Sequence, residues 1–277
     1  MMNNIMTIDV EDHYHVLDVE GTPSISEWDS IPSTVEKNFI KMMNLMQAYD
    51  VKTTCFFLGY IAKRFPHLVR LAKERGHDIA SHGMYHQMVR TQSKREFIQD
   101  IKESKKCLED ICGEEILGYR APGFSVINEN PYFFEELINA GYQYDSSIFP
   151  AKHGHGGFNT DILFPSFIET SVGRIFEFPI SVSNVLNKRI CFFGGGYLRF
   201  FHHMIIRHET KKVNNQGRPV VFYIHPREID PSHPRIKMNF FRHFKSYVNL
   251  QSTEGKLRNI LSNNHFETMR NYYLKRK

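Results

Sequence analysis

Short apolar runs alternate with amphipathic stretches along most of this chain, the pattern of strands laid in parallel with helices between them. Ile5 to Ile8 predicts a first strand, and Val35, Phe39, Met42, Met43 and Met46 recur at helical spacing to predict a helix over 35–49. Thr53 to Leu58 follows as a buried strand. A second helix is expected from Ala62 to Arg75, with Gly76 ending it, and His77 to Ala80 makes a strand that carries Ser81 and His82 to its carboxyl end. Ser93 is placed to cap a helix bearing Phe97, Ile101, Cys107 and Leu108, and the short strand Ile116 to Tyr119 then ends at Arg120. A proline in the first turn opens a helix over 131–140, after which Tyr142 to Tyr144 leads into Asp145.

Beyond this point the Gly-rich, polar stretch from Lys152 to Asp161 predicts a long surface loop suited to a substrate rim. Ile175 to Phe178 predicts a strand, Leu198 to Thr210 a helix, and Val220 to Ile224 a buried strand ending at His225-Pro226. The tail from Phe240 predicts one or two helices around 253–262 and a short strand over 266–268. There are no internal repeats. Asp9, His82, Arg120, Asp145 and His225 all fall just after a predicted strand, and in parallel α/β barrels that is the end where active sites are built.

At 277 residues the chain is long enough for one large α/β domain. Apolar residues at 41% and charged residues at 23% are ordinary for a globular protein and exclude extended disorder. The formal charge of +5 suits an anionic substrate or a membrane surface, but without a basic stripe or docking motif it does not imply nucleic acid. Asp9 interrupts the opening residues too early for an export signal, and no apolar run reaches the length of a membrane span. Cys55, Cys107, Cys112 and Cys191 have no C-x-x-C spacing, which favours reduced structural thiols and a cytoplasmic protein.

The chemistry concentrates in the acidic strand end Asp9-Val10-Glu11-Asp12 and the pair His82 and His86, since carboxylate and imidazole together suit a divalent metal. With 15 histidines, about one i,i+4 pair arises by chance, so this spacing draws its meaning from context. That context is a set of segments in order: TIDVEDH, TTCFFLG, GHDIASHGMYH, YRAPGFS, YDSSIFP and FYIHP. Over most of residues 5–230 they resemble the polysaccharide deacetylase family, the NodB-homology or carbohydrate esterase 4 group. GGGYLRF at 194–200 and HPREIDPSHPR at 225–235 are similar to a bacterial subgroup found with exopolysaccharide and surface-glycan synthesis.

The resemblance implies an α/β fold, a distorted (β/α) barrel with a C-terminal helical extension. The expected organisation is one catalytic domain over 1–277, with its barrel core at 1–230 and the extension, 231–277, packed on it. It also implies metal-dependent removal of the N-acetyl group from an amino sugar in a polysaccharide, oligosaccharide or glycan precursor, with release of acetate. Asp9 matches the family's catalytic base, His82 and His86 its metal-binding histidines, Arg120 the arginine that orients the base, and His225 the catalytic acid. The family's two adjacent aspartates are replaced here, so Asp12 and Glu11 both remain candidates for the third ligand. Asp12 is preferred because a shorter carboxylate fits a compact site and the chain is expected to turn after Val10; Glu11 would share Asp9's face if the strand continued. Zinc suits these ligands, with cobalt or nickel as alternatives.

Amide hydrolysis requires an activated water, oxyanion stabilisation and a proton donor for the amine. The backbone N–H of Gly123 is a candidate oxyanion donor, and Asp145 a candidate support behind the site. Tyr85, Phe124, Phe149 and Tyr197 are candidate faces for sugar rings, and Trp28 a candidate for a loop over the barrel mouth. His13, His15, His202 and His203 are assigned to the surface, outside the site. The partner expected is an N-acetylated saccharide, with a peripheral place in a glycan-synthesis complex as a further option, and neither nucleic acid nor a transmembrane segment is expected. Two alternatives stand: hydrolysis of a non-sugar amide in the manner of an allantoinase, and a glycan-binding barrel without activity.

Overall fold

Asn3–Val10 form β1, and the alternation of its side chains organises the barrel. Met6, Ile8 and Val10 face one way, into a core shared with the surrounding helices, while Ile5 faces the interior beside Phe56, Ala80, Val221 and Tyr223. Thr7 and Asp9 share the interior-facing side with Ile5, so the strand delivers two polar groups into the barrel near its carboxyl end. The computed structural model describes residues 2–151, 154–158 and 160–277.

In chain order β1 is followed by α1 (Val35–Ala48), β2 (Thr54–Phe57), α2 (Gly59–Arg64), α3 (Pro66–Glu74), β3 (Asp78–Ser81), α4 (Lys94–Cys112), β4 (Gly118–Tyr119), α5 (Phe133–Asn139) and β5 (Tyr144–Asp145). The second half adds β6 (Ser166–Thr170), β7 (Gly173–Glu177), β8 (Ser183–Val185), β9 (Lys188–Ile190), α6 (Gly195–Phe200), α7 (His203–Asn214) and β10 (Val221–Ile224). The tail supplies α8 (Phe240–Tyr247), α9 (Leu250–Asn263), β11 (His265–Glu267) and α10 (Met269–Leu274). The main sheet runs β10-β1-β2-β3-β4-β5-β7-β6, with β11 pairing the first half of β1. All neighbours along it are parallel except β6 and β7. It is a curled α/β sheet, the distorted barrel expected, and among the described residues its edges β10 and β6 do not pair with each other.

Several boundaries differ from the sequence expectation for local reasons. The helix expected over 62–75 is two, α2 and α3, because Pro66 lacks an N–H and drives Phe65 out of helical geometry (φ −130°, ψ 62°). The helix expected over 198–210 likewise divides into α6 and α7 at extended Phe201 and His202, and the His202 ring caps α7 by accepting from the Met204 N–H at 3.4 Å. The hairpins β6–β7 and β8–β9 extend what had been expected as a single strand over 175–178. Within the expected loop over 152–161, Lys152, His153 and Asn159 lie outside the described residues. The tail enters the interior: Met269, Tyr272 and Tyr273 join the inner cluster with Phe176 and Phe178, and the Met269 N–H donates to Thr54 Oγ1 at 2.9 Å.

The start of β3 carries a measurable pH signature. His77 Nδ1 accepts from the Thr53 N–H at 3.0 Å, and burial, helped by Lys52 and Arg75, pushes the imidazole down to about 4. A histidine whose folded pKa lies below its unfolded value stabilises the fold fully above the ordinary histidine value of 6.5, and that contribution is lost as pH falls toward 4. An NMR titration of the His77 ring is expected to give a midpoint near 4; a midpoint at or above 6.5 would contradict the buried, neutral assignment.

Candidate active site

The strand ends converge on one cleft of about 660 Å³, lined by Asp9, Glu11, His82, His86, Gly123 and His225 among others. Arg120 lies fully buried behind this wall. Its Nη1 donates to Asp9 Oδ1 at 2.6 Å and to Thr7 Oγ1 at 2.7 Å, while Nε and Nη2 donate to the Ser146 carbonyl and hydroxyl at 3.2 and 2.9 Å. The guanidinium also sits 4.0 Å from the Phe56 ring centre. Every direction around Arg120 is thus committed, and Asp9 is held by one oxygen with the other, Oδ2, turned toward His225 Nε2 at 3.9 Å.

The acidic strand end resolves differently from the expectation. The chain does turn after Val10, with the Glu11 N–H donating to the Asp9 carbonyl at 3.1 Å, but the residue this turn brings into the cleft is Glu11. Glu11, His82 and His86 offer ligand atoms all within 4.8 Å of one another. Asp12, preferred from the sequence, is turned away. Its carboxylate accepts from the Thr34 N–H at 3.1 Å, the Thr34 hydroxyl at 2.9 Å, the Val35 N–H at 3.4 Å and the Ser33 hydroxyl, so it caps α1 from outside the helix. Burial alone would raise the Asp12 pKa, but hydrogen bonds from His13, Ser33 and Thr34 hold it well below the usual carboxylate range.

The two histidines are presented by a loop rather than by a helix, so their i,i+4 spacing is not a helical-face pairing. Gly83 (φ +76°) and His86 (φ +52°) take the left-handed conformation and bring the rings to 5.2 Å between centres. His82 Nδ1 donates to the Arg120 carbonyl at 2.8 Å, which leaves Nε2 with its lone pair, and burial pushes this imidazole down to about 4. His86 Nε2 and Glu11 Oε2 lie 2.6 Å apart without the angles of a hydrogen bond, and Glu11 Oε2 is a buried oxygen with no donor among the described residues. Burial would raise Glu11, but His86 and His225 hold it well below the carboxylate range.

His225 follows β10, with Nε2 at 3.6 Å from Glu11 Oε1 and Nδ1 at 3.4 Å from Glu228 Oε1. Burial would lower its pKa, yet Glu11, Glu228 and Asp9 together raise it above the ordinary histidine value. Glu228, fully buried, pairs in turn with the buried Arg199 of α6, whose Nη2 donates to the Lys245 and Ser246 carbonyls at 2.8 and 3.1 Å. Sequence reasoning missed Glu228, Arg199, Thr7 and Ser146. The only signal was that the first two lie in HPREI and GGGYLRF, segments singled out for resemblance without a role for those residues.

Gly123 lines the cleft at φ +63°, a backbone position where an added Cβ would meet Leu17 at 2.7 Å. Asp145 does not reach the cleft. It accepts from the Ser147 N–H and hydroxyl at 3.0 and 2.7 Å, and Ser147 Oγ accepts from the Ala121 N–H at 2.8 Å, so Asp145 supports the chain just after Arg120. Burial raises its pKa to about 6. His15, assigned to the surface, is buried in the cleft wall with its ring centre 5.9 Å from His86 and 4.3 Å from Trp28, and His13 is buried against Asp12. Trp28 is a packed part of that wall rather than a lid. Phe124, Phe149 and Tyr197 line the cleft; Tyr85 packs beside Trp28 instead.

A curled parallel sheet with a carboxylate–arginine pair and a carboxylate–imidazole trio at its carboxyl ends places the chain in the class of α/β barrels that assemble a candidate metal site at that face. Residues 23–144 match the pattern of the polysaccharide deacetylase family, and residues 146–274 match a domain of unknown function, DUF3473. Asp9 and Glu11 precede the first matched span, and His225, Glu228 and Arg199 fall in the second. A peptidoglycan-N-acetylglucosamine deacetylase of Bacillus cereus is 31% identical over 103 residues, 37% of this chain and 46% of that protein. A peptidoglycan deacetylase of Helicobacter pylori is 23% identical over 108 residues, 39% of this chain and 36% of that protein. The chain thus spans less than half the length of these curated relatives. In fold it is similar to a candidate polysaccharide deacetylase of Mycobacterium smegmatis (TM-score 0.65, 17% identity, covering 98% of this chain and 88% of that one). It is also similar to the Puue allantoinase (TM-score 0.62, 15% identity, covering 96% and 87%).

Proposed function

We propose that this chain hydrolyses the N-acetyl group of an amino sugar within a saccharide, releasing acetate and the free amine, with a divalent metal ion held by Glu11, His82 and His86. One observation carries the reading: Asp9, backed by Arg120, meets Glu11–His82–His86 and His225–Glu228 in a single cleft, on a chain whose residues 23–144 match the deacetylase family. The trio fits a cation. Its donors are one carboxylate and two imidazoles, His82 presents an unprotonated Nε2, and Glu11 Oε2 is a buried oxygen without a hydrogen-bond donor among the described residues, so these three side chains would hold the ion. Zinc suits this set, and cobalt and nickel bind similar ones. When bound, such an ion supplies Lewis acidity toward water and the acetyl carbonyl.

The chain's own groups divide the remaining work. Asp9 Oδ2, free while Arg120 holds Oδ1, takes a proton from the attacking water as the carbon–oxygen bond forms. The Gly123 N–H donates to the oxygen that gains charge as the carbonyl becomes tetrahedral. His225 Nε2 gives a proton to the sugar nitrogen as the carbon–nitrogen bond breaks, and Glu228 on Nδ1 keeps the ring oriented for that transfer. Phe124, Phe149 and Tyr197 offer flat apolar faces for sugar rings. The segments at 194–200 and 225–235 support a glycan precursor of a surface-polysaccharide pathway as substrate. The likeness to an allantoinase is one of fold.

The test is acetate release from N-acetylglucosamine oligomers by the wild type, by the chelated protein, by chelated protein resupplied with zinc, cobalt or nickel, and by His82→Ala. Chelation and His82→Ala are each expected to reduce release by at least about a hundredfold, with metal resupply restoring only the wild type. Undiminished release by His82→Ala would remove the metal-assisted reading.

A further inference from the structure

We propose that the face formed by α6 and α8 at the rim of the cleft docks onto a bilayer containing anionic lipid. Four phenylalanines crowd this face: Phe240 and Phe241 are each 78% exposed, Phe200 55% and Phe244 48%. They pair two by two, with ring centres 5.8 Å apart for Phe240 and Phe241 and 6.2 Å for Phe200 and Phe244, and Phe240, Phe241 and Phe244 share α8. The helix that presents them is fixed in place. Asn239 caps it by accepting from the Arg242 N–H at 2.9 Å, Arg242 donates to the Leu17 carbonyl at 2.7 Å, and the Tyr247 hydroxyl accepts from the Ile236 N–H at 2.9 Å. Large apolar groups held outward on an anchored helix mark an interaction surface rather than an unfinished core.

The charge around the patch chooses the occupant. Residues 178–208 and 231–253, which include α6 and α8, contain no aspartate or glutamate, while Arg207, Lys237 and Lys245 are exposed. Aromatic side chains beside Lys237 and Lys245, on segments of chain that carry no carboxylate of their own, match a bilayer interface in which rings enter the boundary and ammonium groups meet anionic headgroups. A second copy of the chain fits less well, because a two-fold pairing of this face would bring α8 and its Lys245 against the same helix, on which no carboxylate stands. Phe200, Phe241 and Phe244 also line the cleft that holds Asp9, Glu11, His82 and His86, so the docked protein opens its cleft at the headgroup plane.

The docking surface stands independently of the deacetylase reading, and its test does not use activity. The full chain is sedimented with vesicles of phosphatidylcholine alone or with phosphatidylglycerol as a minority component. Anionic lipid is expected to raise the bound fraction by about tenfold, with the gain lost at high salt. Phe240→Ser/Phe241→Ser is expected to lose most binding with its thermal unfolding unchanged, and Lys237→Glu/Lys245→Glu to lose the preference for anionic vesicles. Equal binding by the serine variant, or no binding by the wild type, overturns the proposal. So does a wild-type dimer that the serine variant converts to monomer while vesicles capture neither.

Discussion

Glu11→Ala is expected to abolish retained metal and to lower acetate release by at least about a thousandfold, whereas Asp12→Ala keeps its metal and loses stability instead. The two carboxylates are adjacent in sequence and equally buried, so composition cannot separate them; their surroundings do. Glu11 meets His86 Nε2 at 2.6 Å and His225 Nε2 at 3.6 Å, and removing it leaves two imidazoles that hold a divalent ion weakly. Asp12 meets no ligand histidine. It accepts the Thr34 N–H and shares the Val35 N–H with Ser33 Oγ at the start of α1, and loss of such a cap costs about 1–2 kcal/mol. In a chain of this size that lowers the melting temperature by several degrees, on the order of 2–4 °C per kcal/mol. Metal content after reconstitution, read beside thermal unfolding, separates the cases. Metal loss in Asp12→Ala with full retention in Glu11→Ala would return the third ligand to Asp12.

This contrast marks where the sequence stops being legible. Short apolar runs were enough to mark the strands that carry the site, because β1, β2, β3 and β10 are buried on both faces and bounded by turns. His82, Arg120 and His225 each stand immediately after such a run, and the resemblance to the deacetylase family gave them their expected roles, since position alone also points to Asp145, which does not reach the cleft. Glu11 against Asp12 was not decidable in the same way. A tight turn rotates side chains by amounts that spacing does not encode, and the deciding partners, Ser33 and Thr34, are more than twenty residues away. The break at Pro66 was legible and overlooked. The hairpins β6–β7 and β8–β9 were not, since both are short and carry little apolar alternation. Arg199 illustrates a third kind of loss: its meaning lies in Glu228 and the carbonyls of α8, contacts that exist only after the tail has packed.

Asp9→Asn is expected to lower kcat by about a hundred- to ten-thousandfold with metal content and KM close to those of the wild type. The amide keeps the size of the carboxylate and an oxygen that accepts from Arg120 Nη1, so the geometry around Arg120 persists while the group that takes the proton is gone. Arg120→Met acts differently. It strands the buried Asp9 carboxylate and removes the donors serving Thr7 and Ser146, and breaking one side of a buried ion pair costs about 3–5 kcal/mol. Its signature is therefore a large loss of thermal stability, with any activity loss following from disorder around Asp9. The pair of variants separates proton transfer from positioning when kcat, KM and melting temperature are read together. Turnover by Asp9→Asn near the wild-type rate would remove Asp9 as the group that takes the proton.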